Sequence, residues 1–145
     1  MEILASYYLW FLIIIFIVFI FTYKKITSNN DALTAKFIIV KDLKTNVSNI
    51  DNLLLIAFKN SGFRNIRIDK NENRIYAHTK FSMSSFSEYV EIFYEVDQFS
   101  TVLRFKSICA LPTQIYDWGK NKRNFKKFNT ELNKLLPPQV TITKL

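Results

Sequence analysis

The chain has 145 residues, 49% of them hydrophobic, 16% aromatic and 22% charged, which is the composition of one folded domain rather than a disordered segment. Two glycines, Gly62 and Gly119, exclude glycine-rich phosphate loops, and a single histidine (His78) with a single cysteine (Cys109) excludes zinc fingers, HExxH sites, CxxC pairs and internal disulfides. The formal net charge is +8. Glu2 is the one charged residue before Lys24, so 20 basic and 11 acidic residues give the region from Lys24 onward a net +9 and point to an anionic partner.

The first predicted element is a transmembrane helix over residues 1–23. Ile3 to Tyr23 carries no charge, and Leu9 to Phe21 is an unbroken run of thirteen apolar residues. At about 1.5 Å per residue, 21 residues rise roughly 31 Å, matching a hydrocarbon core of about 30 Å. Tyr7, Tyr8 and Trp10 near one end and Tyr23 at the other suit the two interfacial belts. A buried core helix would need more covering chain than a domain of this size supplies. A cleaved signal peptide would need a basic start, a shorter apolar run and a small-residue cleavage site, none of which is present. Lys24, Lys25, Lys36 and Lys41 follow the span, so the positive-inside rule places the N-terminus outside and the rest in the cytoplasm of a cell (inner) membrane. The lipid bilayer is thus the first expected partner. The span has no small-xxx-small pattern and no mid-span polar group, so it reads as a tether, without a packing or transport role.

Residues 24–34 read as a polar linker, and 35–136 as a cytosolic α+β domain. Lys36 to Val40 is the first strand. Ser48 is placed to cap a helix carrying Ile50, Leu53, Leu54, Ala57 and Phe58 on one stripe, with Gly62 stopping it. Alternation then predicts strands at 64–69, 74–81, 89–96 and 101–109. Ile75, Ala77, Thr79 and Phe81, then Val90, Ile92, Tyr94 and Val96, then Leu103 and Phe105 turn inward. A last helix runs from Asp117 to Leu136 on a Trp118, Phe125, Phe128, Leu132 and Leu135 stripe. Residues 137–145 form a tail that adds an edge strand or stays loose. The order β-α-β-β-β-β-α predicts a two-layer sandwich: an antiparallel sheet of about five strands with two helices on one face.

Three sets of residues carry chemistry. Lys120, Lys122, Arg123, Lys126 and Lys127 form a basic helix face suited to an anionic membrane surface, each contributing on the order of 1 kcal/mol there, or simply a solvated face. Tyr76, His78, Tyr89 and Phe93 are predicted on the sheet face away from the helices, as a partner interface. Basic groups among aromatics there also resemble an RNA-stacking platform, but Glu91 and Glu95 repel phosphate, so nucleic acid ranks below a protein partner. Asp117, Trp118 and Gly119 form a corner: Asp117 caps the helix, Trp118 anchors its first turn on the sheet, and Asn121 and Asn124 make a polar edge beside it. Cys109 faces inward and His78 outward, so the two do not form a nucleophile pair, and no carboxylate pair stands out. No cofactor, metal or small-molecule substrate is indicated.

The run Pro112-Thr113-Gln114-Ile115-Tyr116-Asp117-Trp118-Gly119-Lys120-Asn121 resembles a segment before the last helix in small bacterial membrane-anchored α+β proteins. That resemblance implies a fold type and no function. The sequence reading is an accessory protein-interaction module of a membrane complex. An anionic-lipid module working through the last helix is the alternative, with nucleic-acid binding and catalysis ranked below both.

Overall fold

A computed structural model describes residues 2–44, 49–81 and 86–136 of the chain, with side chains from Tyr7 onward. The fold is α+β, with three helices and one antiparallel five-stranded sheet. In chain order the elements are α1 (Glu2–Ile26), β1 (Lys36–Asp42), α2 (Ile50–Asn60), β2 (Arg64–Asp69), β3 (Arg74–His78), β4 (Glu88–Val96), β5 (Thr101–Cys109) and α3 (Lys120–Leu135). Strands lie in the order β1-β5-β4-β3-β2, so β2 to β5 meander and α2 carries the chain from one sheet edge to the other. The predicted Ser48 cap and the 137–145 tail lie outside the described residues.

Helices α2 and α3 pack on each other and on the same side of the sheet. Leu54, Ala57 and Phe58 of α2 and Phe128 and Leu132 of α3 meet Ile75, Ala77, Val90, Ile92, Leu103 and Phe105 in one core. Phe58 and Phe105 both contact the Phe128 ring, at centroid distances of 5.5 and 5.4 Å. Fully burying a side chain of this size is worth about 1.5–3 kcal/mol relative to leaving it exposed, so this cluster holds the layers together. Gly62 ends α2 with φ of 78°, a left-handed position that glycine adopts without a Cβ clash.

Strand phases match expectation for β2 and β5, and the departures have physical causes. β1 runs two residues past Val40, because Lys41 and Asp42 continue the ladder opposite Leu103 and Val102. β3 ends at His78 rather than Phe81, and Phe81 is exposed instead of facing the core. There the Thr79 hydroxyl donates to Glu88 and accepts from the Glu88 backbone N–H (2.9 Å), turning the chain out of the sheet. Val96 is in phase but exposed, since it closes β4 opposite Thr101 at the end of the ladder.

The largest difference concerns residues 24–34. Helix α1 continues through Lys24 and Lys25 to Ile26, and residues 27–34 link it to β1 through a hydrogen-bonded junction. Lys24 Nζ donates to Asn30 O (3.0 Å), Thr34 Oγ1 (2.6 Å) and Pro112 O (2.8 Å), using all three ammonium hydrogens. Ile20, one turn earlier on the same face, is fully buried. Residues 7–19 are all exposed, so α1 leaves the domain after that single docking point.

Candidate functional site

With both packed helices on one side, no helix or strand among the described residues covers the opposite sheet face. Cross-strand register sets its rows: Lys36, Ile108, Tyr89, His78 and Arg64; then Ile38, Lys106, Glu91, Tyr76 and Arg67; then Val40, Arg104, Phe93, Arg74 and Asp69. Tyr76, His78, Tyr89 and Phe93 all lie here. The His78 and Tyr89 rings meet edge to face at 4.6 Å, and the Arg74 guanidinium sits 5.7 Å from the Phe93 centroid. Arg74 also donates to Glu91 Oε1 at 3.0 Å. A hydrogen bond with Tyr76, then the Glu91 and Glu72 carboxylates, hold the Arg74 guanidinium pKa above its ordinary value, so the charge on this face is permanent.

A shallow depression of about 450 Å³ on that face is lined by Ile38, Val40, Phe93, Arg74, Arg104 and Lys106 together with Glu91. Ile38 and Val40 are more than half exposed. Sequence reasoning missed both, because Phe37–Val40 is a continuous apolar run and alternation then gives no phase. Lys106 is tied to Asp31 at 2.5 Å, which fixes the α1–β1 junction beside this face.

The predicted basic patch loses one member. Lys122, Arg123, Lys126 and Lys127 are exposed on α3, but Lys120 turns inward and pairs with Glu88 at 3.1 Å. Glu88 precedes the expected start of β4 and is in phase with Val90, so it faces the core and draws the nearest cation to it. Around this pair lies a buried polar cluster. Ser107 Oγ donates to Asn121 Oδ1 (2.6 Å), Asn121 Nδ2 donates to Ala35 O (3.0 Å), and Asn124 Nδ2 donates to Ser107 Oγ (3.1 Å). Asn121 and Asn124 are therefore buried sheet contacts rather than a polar edge. The sequence signal was available: both fall in phase with Phe128 at helical spacing.

At the corner, the Asp117 carboxylate accepts from the Gly119 N–H (2.9 Å) and the Asn121 N–H (2.7 Å), satisfying donors at the start of α3. Trp118 does not anchor on the sheet. It has φ of 52° and is 68% exposed, with its ring edge to face on Tyr116 at 5.0 Å. Helix α3 accordingly starts at Lys120, three residues after the predicted Asp117. Gly119, with φ of 72°, continues the left-handed turn. A Cβ there would meet only the Arg123 guanidinium at 3.5 Å, so conformation rather than a close backbone approach calls for glycine.

Cys109 is buried on the helix side of the sheet, and His78 lies on the uncovered side. Among the described residues no group of three or more His, Cys, Asp or Glu is gathered as metal ligands. A cleft of about 490 Å³ between the end of α2 and α3 is lined by Asn60, Ser61, Gly62, Lys126, Lys127, Thr130 and Glu131. Helix α1 is one candidate membrane span, Tyr7–Ile26, with mean hydropathy of 2.2. Comparisons with family models, curated proteins and solved structures found no match.

Proposed function

We propose that this is a single-pass membrane protein, N-terminus outside, whose cytoplasmic α+β domain is a non-catalytic interaction module of a membrane complex. The uncovered sheet face carries the reading. It presents Ile38, Val40, Tyr89 and Phe93 beside permanently charged arginines, the mix of apolar and aromatic surface with Arg that marks protein interfaces.

The membrane part rests on thirteen consecutive exposed residues of α1, from Tyr7 to Phe19, a face that water does not favour. The Lys24 junction favours a retained anchor over a removed leader. Cleavage after the span would take Ile20 and Lys24 out of the folded domain and remove the ammonium that bridges Asn30, Thr34 and Pro112. The basic residues after the span set the orientation.

A second reading, contact with anionic lipid through α3, is favoured by Lys122, Arg123, Lys126 and Lys127, which stay exposed on one helix. Purification of the full chain in mild detergent tests the first reading. A stoichiometric protein partner is expected, lost on Phe93→Asp and kept on Lys126→Glu with Lys127→Glu. Absence of a partner, or its indifference to Phe93→Asp, overturns the sheet-face assignment.

A further inference from the structure

Every strand end near α1 lies at one pole of the domain. Register puts the starts of β1, β2 and β4 and the ends of β3 and β5 there, beside the start of α3. The Lys24–Pro112 hydrogen bond fastens α1 to the same pole, as do the Ala35 N–H bond to Gln114 O (2.8 Å) and the Cys109 N–H bond to Ala35 O (3.0 Å).

The exposed aromatic residues of the domain concentrate at this pole. Phe81 (68% exposed), Phe86, Tyr116 (63%) and Trp118 (68%) all sit in segments joined to it, with the exposed aliphatic Ile115 beside them. The Ala110 N–H donates to Ser87 O and Lys120 Nζ donates to Lys80 O, which ties the Phe81 and Phe86 segments to the 110–120 segment. Phe99, in the β4–β5 hairpin, is the exposed phenylalanine at the far pole. Lys122 and Arg123 lie in the first turn of α3 beside the aromatic corner, with the Arg123 guanidinium donating to Trp118 O at 2.7 Å. Trp118 is held in a left-handed backbone conformation that costs a non-glycine residue roughly 1–2 kcal/mol, and its exposed side chain lies outside the buried core cluster.

The depth of this pole is set by the helix. Counting from Ile3, the residue after Glu2, to Ile20 gives about 27 Å of rise, just short of a hydrocarbon core of about 30 Å. Ile20 is buried by the domain, so domain atoms reach the edge of the hydrocarbon. Tryptophan and tyrosine favour that level, with Lys and Arg beside them at the headgroups.

We propose that the Ile115-Tyr116-Trp118 corner, flanked by Phe81 and Phe86, seats in the cytoplasmic interface of the bilayer as a second membrane contact that fixes the domain's tilt beside α1. This rests on the membrane-anchor reading, and the two tryptophans of the chain, Trp10 in α1 and Trp118 at the corner, separate the two claims. The full chain is reconstituted into phosphatidylcholine–phosphatidylglycerol vesicles as two variants, Trp10→Phe and Trp118→Phe. Each then reports one site by its emission and by quenching with lipids brominated near the headgroup end of the chains. Expected is a blue-shifted Trp118 emission, quenched by the brominated lipid and shielded from aqueous acrylamide, with Trp10 quenched as well. Trp118 at the water-exposed wavelength and unquenched, while Trp10 is quenched, overturns the seating and leaves the anchor standing. Neither residue quenched overturns both.

Discussion

Lys120 Nζ lies 3.1 Å from Glu88 Oε1, and Glu88 has no exposed surface while the Lys120 side chain keeps 12%. The pair joins the first turn of α3 to β4, and it removes from the surface a lysine that would otherwise extend the basic face. Its asymmetry makes a prediction. Lys120→Met leaves a buried carboxylate without its cation and should destabilise the domain by roughly 3 kcal/mol. Glu88→Gln lets the lysine turn toward water and should cost about 1–2 kcal/mol. Urea denaturation of the two variants checks the order, and equal costs would refute it.

Tyr94 gives an alkaline transition. Its hydroxyl donates to Asp51 Oδ1, joining β4 to the first turn of α2. Burial, then that hydrogen bond and the Asp51 charge, push the Tyr94 pKa from 10.0 up to about 12. The folded state therefore holds the phenol proton more tightly than the unfolded chain. The stabilisation is complete below pH 10 and is lost as pH rises from 10 toward about 12. Tyr94→Phe should flatten stability against pH across that window, and an unchanged slope would contradict the assignment.

The junction at Lys24 should behave as a rigid link. Lys24→Met removes three hydrogen bonds, to Asn30, Thr34 and Pro112, at a cost of roughly 1–3 kcal/mol. Amide exchange should accelerate at Ala35, whose N–H donates to Gln114 O, while the Ile92 and Phe105 amides in the sheet centre stay protected. Uniform acceleration through the sheet would contradict a local junction.

Much of the fold was legible from alternation. Val90, Ile92, Tyr94, Leu103 and Phe105 announced their inward face, and Gly62 announced the end of α2. The rest was hidden for specific reasons. The unbroken apolar run Phe37–Val40 within β1 concealed that Ile38 and Val40 face out. Glu88 lay just outside the predicted strand, so a carboxylate in the core phase went unread, and with it the inward turn of Lys120. Asn121 and Asn124 share the helical phase of Phe128, which marks them as inward, but their partners, Ser107 and Ala35, are distant in sequence and could not be named. Trp118 misled because a large apolar residue at helical spacing reads as an anchor, whereas a left-handed turn carries it outward.

The most direct test of the account is alkaline carbonate extraction of membranes from cells expressing the full chain, followed by intact-mass measurement. The 17.2 kDa polypeptide is expected in the membrane pellet with its N-terminal helix retained. Release of the chain to the supernatant, or recovery of a species shortened by the apolar segment, would contradict it.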